Sequence, residues 1–209
     1  MKGSRLVVAL IVGVAVTALV LGSMRAQEAP PARDVVIVWC GGVPDAPPLP
    51  GLEAGAVDTV TQSTPGVGNI KEVAGKLAKE LEAAGRTVLV VAAEDCRDPR
   101  VIVNAKALVL GSPDYFGLPA WQMVRFADET LYRIRGARIR LTEHVVTSFA
   151  TTDRVLEILQ RLGGSTRGKA VDGAVIAARG TSPEERDAAV KQLAERIVAG
   201  LAGKTEAAE

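Results

Sequence analysis

The residues of this sequence best equipped to hold a ligand lie between Gly111 and Gly117, which read GSPDYFG. Tyr115 and Phe116 offer adjacent flat faces on which a planar ring can stack. Ser112, Pro113 and Asp114 carry turn chemistry, and backbone groups in such a turn can bond a ring edge. A second polar stretch, Ala150, Thr151 and Thr152, follows Phe149. A third runs from Ser63 to Ile70, where Ser63, Thr64, Gly66, Gly68 and Asn69 lead directly into a helical pattern. Free N–H groups and the dipole at a helix start suit an anion, and glycines let a phosphate approach the backbone. Each stretch also has a plainer reading, as an ordinary βα turn or a glycine-rich loop without a ligand.

The surrounding pattern supplies the elements that would position these loops. Asp34 to Trp39 reads as a buried first strand, Thr87 to Ala93 as the second, Lys106 to Leu110 as the third, His144 to Phe149 as the fourth and Val171 to Ala178 as the fifth. Between them lie helical stretches. Lys71 to Ala84 places Val73, Leu77 and Leu81 on one face and ends at Gly85. After Gly117, Pro119 suits a first helical turn, and Trp121, Val124, Phe126 and Leu131 form a roughly helical apolar stripe. Thr152 or Asp153 can cap Arg154 to Leu162, and Ser182-Pro183-Glu184-Glu185 opens a last helix reaching about Leu201. Strands alternating with helices imply a parallel sheet covered on both faces. Aromatics are only 3% of the chain, yet Trp39, Tyr115, Phe116, Trp121 and Phe149 all fall at or near one edge of that sheet. Trp121 and Phe126 are themselves expected in the core.

The stretch from Gly111 to Gly117, followed by Met123, Phe126 and Asp128, resembles the second flavin-binding loop of the flavodoxin-like family. The quinone-reductase branch of that family reads much like GSPxYFG before a helix with an apolar-x-x-Phe-x-Asp pattern. The resemblance implies a three-layer α/β/α sandwich with a five-stranded parallel sheet in the order 2-1-3-4-5. Ligands would then sit at the carboxyl ends of the first and third strands. It also implies bound FMN, with NAD(P)H as a co-substrate if the protein is a reductase, and no acidic or basic catalytic side chain. The cofactor contacts would come from Ser63, Thr64, Gly66, Gly68, Asn69 and Ile70, from Ser112 to Gly117, and from Ala150 to Thr152. The family's phosphate loop reads S/T-x-T-G-N-T. Here Gly68 and Asn69 match, but Val67 and Ile70 stand where hydroxyl residues would bond the phosphate. An insertion over 41–62, rich in Pro and Gly, also separates this loop from the first strand.

The balance of charge excludes some functions. Lys+Arg number 25 against 24 Asp+Glu, a net charge of +1, so nothing favours nucleic acid. Arg133, Arg135, Arg138 and Arg140 read as a solvated edge, or as a surface for an acidic partner or phospholipid headgroups. With one histidine, His144, and two cysteines, Cys40 and Cys96, no Cys/His metal site is expected and a histidine triad is disfavoured. His144 is expected on the surface at a strand start. No Gly-x-Ser-x-Gly elbow is present. Cys40 and Cys96 would lie at neighbouring strand ends, where a disulfide is geometrically open, as are two reduced thiols.

The amino terminus adds location. Lys2 and Arg5 precede an uncharged run, Leu6 to Gly22, at the short end of a membrane span. Residues 1–26 read as an anchor or as a cleaved signal, 27–33 as a linker, 34–203 as the domain and 204–209 as a disordered tail. Either reading of residues 1–26 places the domain outside the cytoplasm, tethered to the cell membrane or secreted. The expected function is a membrane-tethered FMN-binding redox domain. It would exchange electrons with a partner protein or reduce a quinone-like small molecule, and a homodimer is left open. The alternative is a cofactor-free flavodoxin-fold module for binding or assembly.

Overall fold

The computed structural model describes residues 31–41, 67–176 and 180–203, with the backbone alone for 67–69. The expected membrane segment Leu6–Gly22, most of the linker, the insertion apart from Gly41, and the tail 204–209 lie outside the described residues. Among the described residues no helix is long and apolar enough to cross a membrane.

The sheet is built on three fully covered strands, β1 (Val35–Trp39), β3 (Ala107–Ser112) and β6 (Val145–Ala150), with β2 (Val88–Ala92) at one edge. Their order is β2-β1-β3-β6, continued by the short β7 (Lys169–Ala170) and β8 (Ala174–Val175), both parallel to β6. This is the 2-1-3-4-5 order, with its fifth strand in two pieces. Val35 pairs with both Val88 and Ala107, and Ala107 with Val145. Strands buried on both faces need continuous apolar runs, and VVIVW and ALVLGS supply them.

One face packs against α1 (Val67–Ala83) and α6 (Pro183–Ala202). Ile70, Val73, Leu77 and Leu81 of α1, and Val190, Leu193 and Ile197 of α6, meet Val35, Ile37, Val109 and Phe149. Gly85 ends the α1 segment at φ 76°, a conformation without penalty for glycine. Ser182 and Glu185 form a reciprocal capping box at the start of α6.

The other face carries α2 (Pro99–Val103), a helix formed by α3 (Trp121–Phe126), a π-helical turn (Ala127–Leu131) and α4 (Tyr132–Gly136), and then α5 (Asp153–Gly164). Met123, Phe126, Leu131, Ile134, Val155 and Leu159 cover Val36, Val38, Leu108 and Leu110. The Tyr132 N–H reaches back to the Ala127 carbonyl across the π turn, and the Thr130 hydroxyl donates to the Cys96 carbonyl at 3.0 Å.

Several expectations are corrected. Asp98 caps the unforeseen α2, with Pro99 in its first turn. Pro119 belongs to a strand and not to a helix start. Trp121 and Val124 are exposed, so the face that packs is the one bearing Met123 and Phe126. Among the described residues the fifth strand is Lys169–Ala170 and Ala174–Val175, not a run that starts at Val171. Ala170 to Ala174 spans one residue more than its partners Val146 to Phe149, which is a bulge. Within it the Gly173 backbone comes so near the Ser148 carbonyl that a Cβ would lie 2.5 Å away. His144 is half-buried, its Nε2 3.2 Å from the Val103 carbonyl. Cys40 and Cys96 are free thiols and do not form the disulfide. Both are buried on the α2–α3 face, and the Cys40 Sγ–H points at the Gly111 carbonyl.

Asp34 fastens the amino edge of the sheet. Its carboxylate accepts from Lys106 Nζ at 2.8 Å and from the Thr87 N–H at 2.9 Å. Residues preceding β1, β2 and β3 are thereby joined. These bonds, that from Lys106 foremost, hold the carboxyl down to about 2.

Candidate functional site

At the carboxyl edge, β3 ends in Ser112 and the chain turns into a small hairpin. Asp114–Tyr115 (β4) pairs antiparallel with Leu118–Pro119 (β5), Tyr115 opposite Leu118. The two residues of the turn, Phe116 and Gly117, both have positive φ, 56° and 80°. Two left-handed residues in a row match the twist of a tight hairpin and normally call for Asn or Gly. A phenylalanine there costs about 1 kcal/mol, and its side chain gains no burial in return, for Phe116 is 102% exposed. The sequence implies a glycine-bounded loop with two aromatics, and the structure makes that loop a hairpin. The consecutive positive φ values present Phe116 at the tip, while Tyr115 is half-buried.

Ser112 and Asp114 hold the hairpin. The Ser112 hydroxyl accepts from the Ala120 N–H at 2.9 Å and donates to the Pro113 carbonyl at 3.0 Å, closing the base. The Asp114 carboxylate accepts from the Gly117 N–H across the turn. It also accepts from the Thr152 hydroxyl at 2.7 Å, and the Asp114 N–H donates to Thr151 Oγ1 at 2.9 Å. The loop after β6 is thus tied to the hairpin, and Thr152 also caps α5 through the Val155 N–H. Two of the three expected loops are brought together. The Ala150 side chain is buried in the core.

The remaining expected residues fall differently. Ser63, Thr64 and Gly66 lie outside the described residues. Gly68 and Asn69 lie in the first turn of α1 rather than in a loop. Ile70 is fully buried against the sheet, so that only its backbone could face a ligand. The amino end of α1 presents N–H groups without intrahelical partners, and Lys71 Nζ lies 5.6 Å from the centre of the Trp39 ring at the end of β1. Arg154, in the sequence only a helix-start residue, lies beside the hairpin tip: a Cβ on Gly117 would sit 3.0 Å from its guanidinium carbon. Its only sequence signal is a basic residue next to the cap of α5.

Beside the hairpin opens a cavity of about 860 Å³ between α3, the π turn and α5. Tyr115, Leu118, Pro119, Trp121, Val124, Ile158 and Leu162 give it an apolar lining, with Arg125, Asp128 and Glu129 at its polar side. Size and lining suit a small molecule. Arg125 and Glu129 pair with each other at 2.7 Å. Among the described residues no group of three or more His, Cys, Asp or Glu could hold a metal. The two thiols are not nucleophiles at neutral pH, because burial pushes each up to about 12.

No protein-family model and no curated protein matches the sequence. Among solved structures, the chain is similar to a flavodoxin from Pseudomonas aeruginosa, with 17% identity and a TM-score of 0.56 over 81% of this chain and 99% of that one. A WrbA-like flavodoxin from Agrobacterium tumefaciens is similar at 17% identity and a TM-score of 0.52, over 81% of this chain and 98% of that one. The rubredoxin oxygen:oxidoreductase of Desulfovibrio gigas is similar at 14% identity and a TM-score of 0.56, over 85% of this chain. The alignment spans 38% of that longer chain. Likeness at these identities establishes the fold, and the fold is flavodoxin-like.

Proposed function

We propose that this domain binds FMN at the carboxyl edge of its sheet and passes electrons to an acceptor. The observation that carries the reading is Phe116, a fully exposed aromatic held in a left-handed backbone at the tip of a hairpin. Strain of this kind is retained where function uses it, and an exposed ring on a pinned hairpin is a stacking surface. The remaining groups fit the cofactor in part. The amino end of α1, with Lys71 nearby, suits a phosphate. Arg154 places a positive charge beside the hairpin tip, where a ring edge could gather negative charge. The hydroxyls of Ser112 and Thr152 already donate within the protein, and Thr151 Oγ1 accepts from the Asp114 N–H. The ring edge would therefore be met by backbone groups and by the Thr151 hydroxyl, which accepts from Asp114 and keeps its own proton to donate.

When bound, the flavin supplies the redox chemistry, and the protein positions and tunes it. The chain's own contribution is to fix Phe116 through Asp114 and to hold an acceptor in the neighbouring apolar cavity. A quinone-like molecule, with a flat apolar body, suits that cavity. With a protein acceptor the domain is a carrier; with NAD(P)H as donor it is a reductase. The run Leu6–Gly22 would tether the domain on the outer side of the membrane, or release it after cleavage.

The buried Ile70 and the internal engagement of the loop side chains favour a second reading, a cofactor-free module that docks partners at the same edge. One titration separates the two. Purified protein with added FMN should develop a perturbed absorbance band near ~450 nm, as expected of a bound oxidised flavin. Oxidation of nicotinamide by the loaded protein would then mark a reductase, and its absence a carrier. No spectral change at saturating FMN would leave the module reading standing.

A further inference from the structure

We propose a second ligand site, at the opposite edge of the sheet, that binds phosphate-bearing anions. It is a cleft of about 380 Å³ between the turn after α4 and the turn after α5. Arg135, Arg138, Arg140 and Arg167 line it, and no acidic residue does. None of the four forms a salt bridge among the described residues, whereas Arg100, Arg125 and Arg161 each do. In a chain whose net charge is only +1, four unopposed guanidinium groups around one hollow are a local concentration of charge. Planar guanidinium forks match the oxygens of a phosphate and bind them two at a time.

The backbone argues in the same direction. Besides Phe116, the described residues with positive φ that are not glycine are Arg138, at 59°, and Arg167, at 65°. Both are arginines, one in each turn, and both line this cleft. Each turn closes on the carbonyl three residues back, Arg138 N–H to Arg135 and Arg167 N–H to Gly164. Glycine would relieve the strain at either place, yet arginine stands at both. The turns are fixed to each other by the Leu141 N–H, which donates to the Thr166 carbonyl at 3.1 Å, so the arginines converge on a braced cleft. Ile139, exposed within the same lining, adds an apolar contact suited to the acyl chains of a phospholipid. The cleft precedes β6 and β7, at the edge where Asp34 leads the chain into the sheet. It is therefore separate from the hairpin site and does not depend on the flavin reading.

The full-length chain in neutral detergent would be titrated calorimetrically with pyrophosphate, and with monomeric short-chain phosphatidylglycerol against phosphatidylcholine. Salt-sensitive binding of pyrophosphate or of the glycerol phospholipid is expected, with none of the choline phospholipid. Pyrophosphate alone would identify a soluble phosphorylated ligand, and phosphatidylglycerol, with or without pyrophosphate, a lipid headgroup. Combining Arg138→Gly with Arg167→Gly should weaken binding about tenfold or more, while the melting temperature holds or rises. A merely structural role for these arginines would not produce that pairing of effects. Should that variant fail to fold, Arg135→Gln with Arg140→Gln removes charge at the two positions without positive φ, with the same loss expected. The proposal is overturned if neither probe binds, if these variants bind like the parent, or if Arg97→Ala with Arg161→Ala, outside the cleft, weakens binding equally.

Discussion

The carboxylate of Asp114 accepts the hydroxyl proton of Thr152 at 2.7 Å across 38 residues of chain, and this bond joins the hairpin after β3 to the cap of α5. The same carboxylate restrains Gly117. Asp114→Ala removes both bonds and leaves partly buried donors without a partner. A loss of about 2 kcal/mol in urea unfolding is expected, together with weaker FMN binding, because Phe116 is no longer fixed. Full stability with full affinity would show that the hairpin stands without its tie.

Stability and function should separate at Phe116. Phe116→Gly relieves a left-handed phenylalanine and should raise stability, or leave it unchanged, by up to about 1 kcal/mol. The same change removes the stacking face, so the flavin titration should weaken. A variant that is destabilised while still binding FMN would assign Phe116 a packing role instead.

Gly111 is fixed by a neighbour and not by a turn. A Cβ there would lie 2.2 Å from the Cζ atom of Phe149, which crosses β3 on the α1–α6 face. Gly111→Ala should cost about 2 kcal/mol through overpacking. In a Phe149→Leu background the same substitution should cost clearly less, a non-additivity that chemical unfolding of the two single variants and the double variant would reveal.

Acid should loosen the amino edge of the sheet first. The folded carboxyl of Asp34 is held below its unfolded value of 3.8, at about 2, chiefly by Lys106. Its contribution is therefore complete above about pH 4 and fades as the pH falls toward 2. Exposure of Lys106 to solvent limits that contribution to about 1 kcal/mol. The stability difference between the parent and Asp34→Asn, followed by urea unfolding through this range, should shrink with falling pH; a constant difference would contradict the assignment.

The two thiols should be silent until the protein unfolds. Burial keeps Cys40 and Cys96 protonated at neutral pH, and only a thiolate reacts readily. Iodoacetamide at mildly alkaline pH should modify neither in the folded state and both in urea, without reductant. A need for reductant would restore the disulfide.

Much of the frame was legible because strands covered on both faces must be uniformly apolar. Val35–Trp39 and Ala107–Leu110 announce themselves in that way, and the parallel order follows from alternation with helices. The caps were legible in part: the sequence leaves Thr152 and Asp153 as alternatives at α5, and Ser182 to Glu185 reads as a helix start without showing the reciprocal box. What escaped depended on partners distant in sequence. Trp121 and Val124 are as apolar as Met123 and Phe126, and periodicity does not say which of two apolar stripes meets the sheet. The stripe left outside lines the cavity beside the hairpin. Phe116 reads as an exposed aromatic in a glycine-bounded loop, but its left-handed backbone arises from strand pairing between Tyr115 and Leu118. Arg167 joins Arg135, Arg138 and Arg140 only once α5 has brought its turn beside theirs, and no local pattern announces that.

The bulge in the fifth strand bears on self-association. A sheet edge with an uninterrupted row of amides invites a second chain to extend it. Here the last strand pairs for two residues, Lys169–Ala170, swells by one, and pairs for two more, Ala174–Val175. An incoming strand would meet two short rows of amides out of step with each other, with the Lys169 side chain exposed at the outset. That margin is a poor template for fibrils or for domain-swapped dimers, a useful property in a protein whose other strands are among the most apolar segments of its sequence.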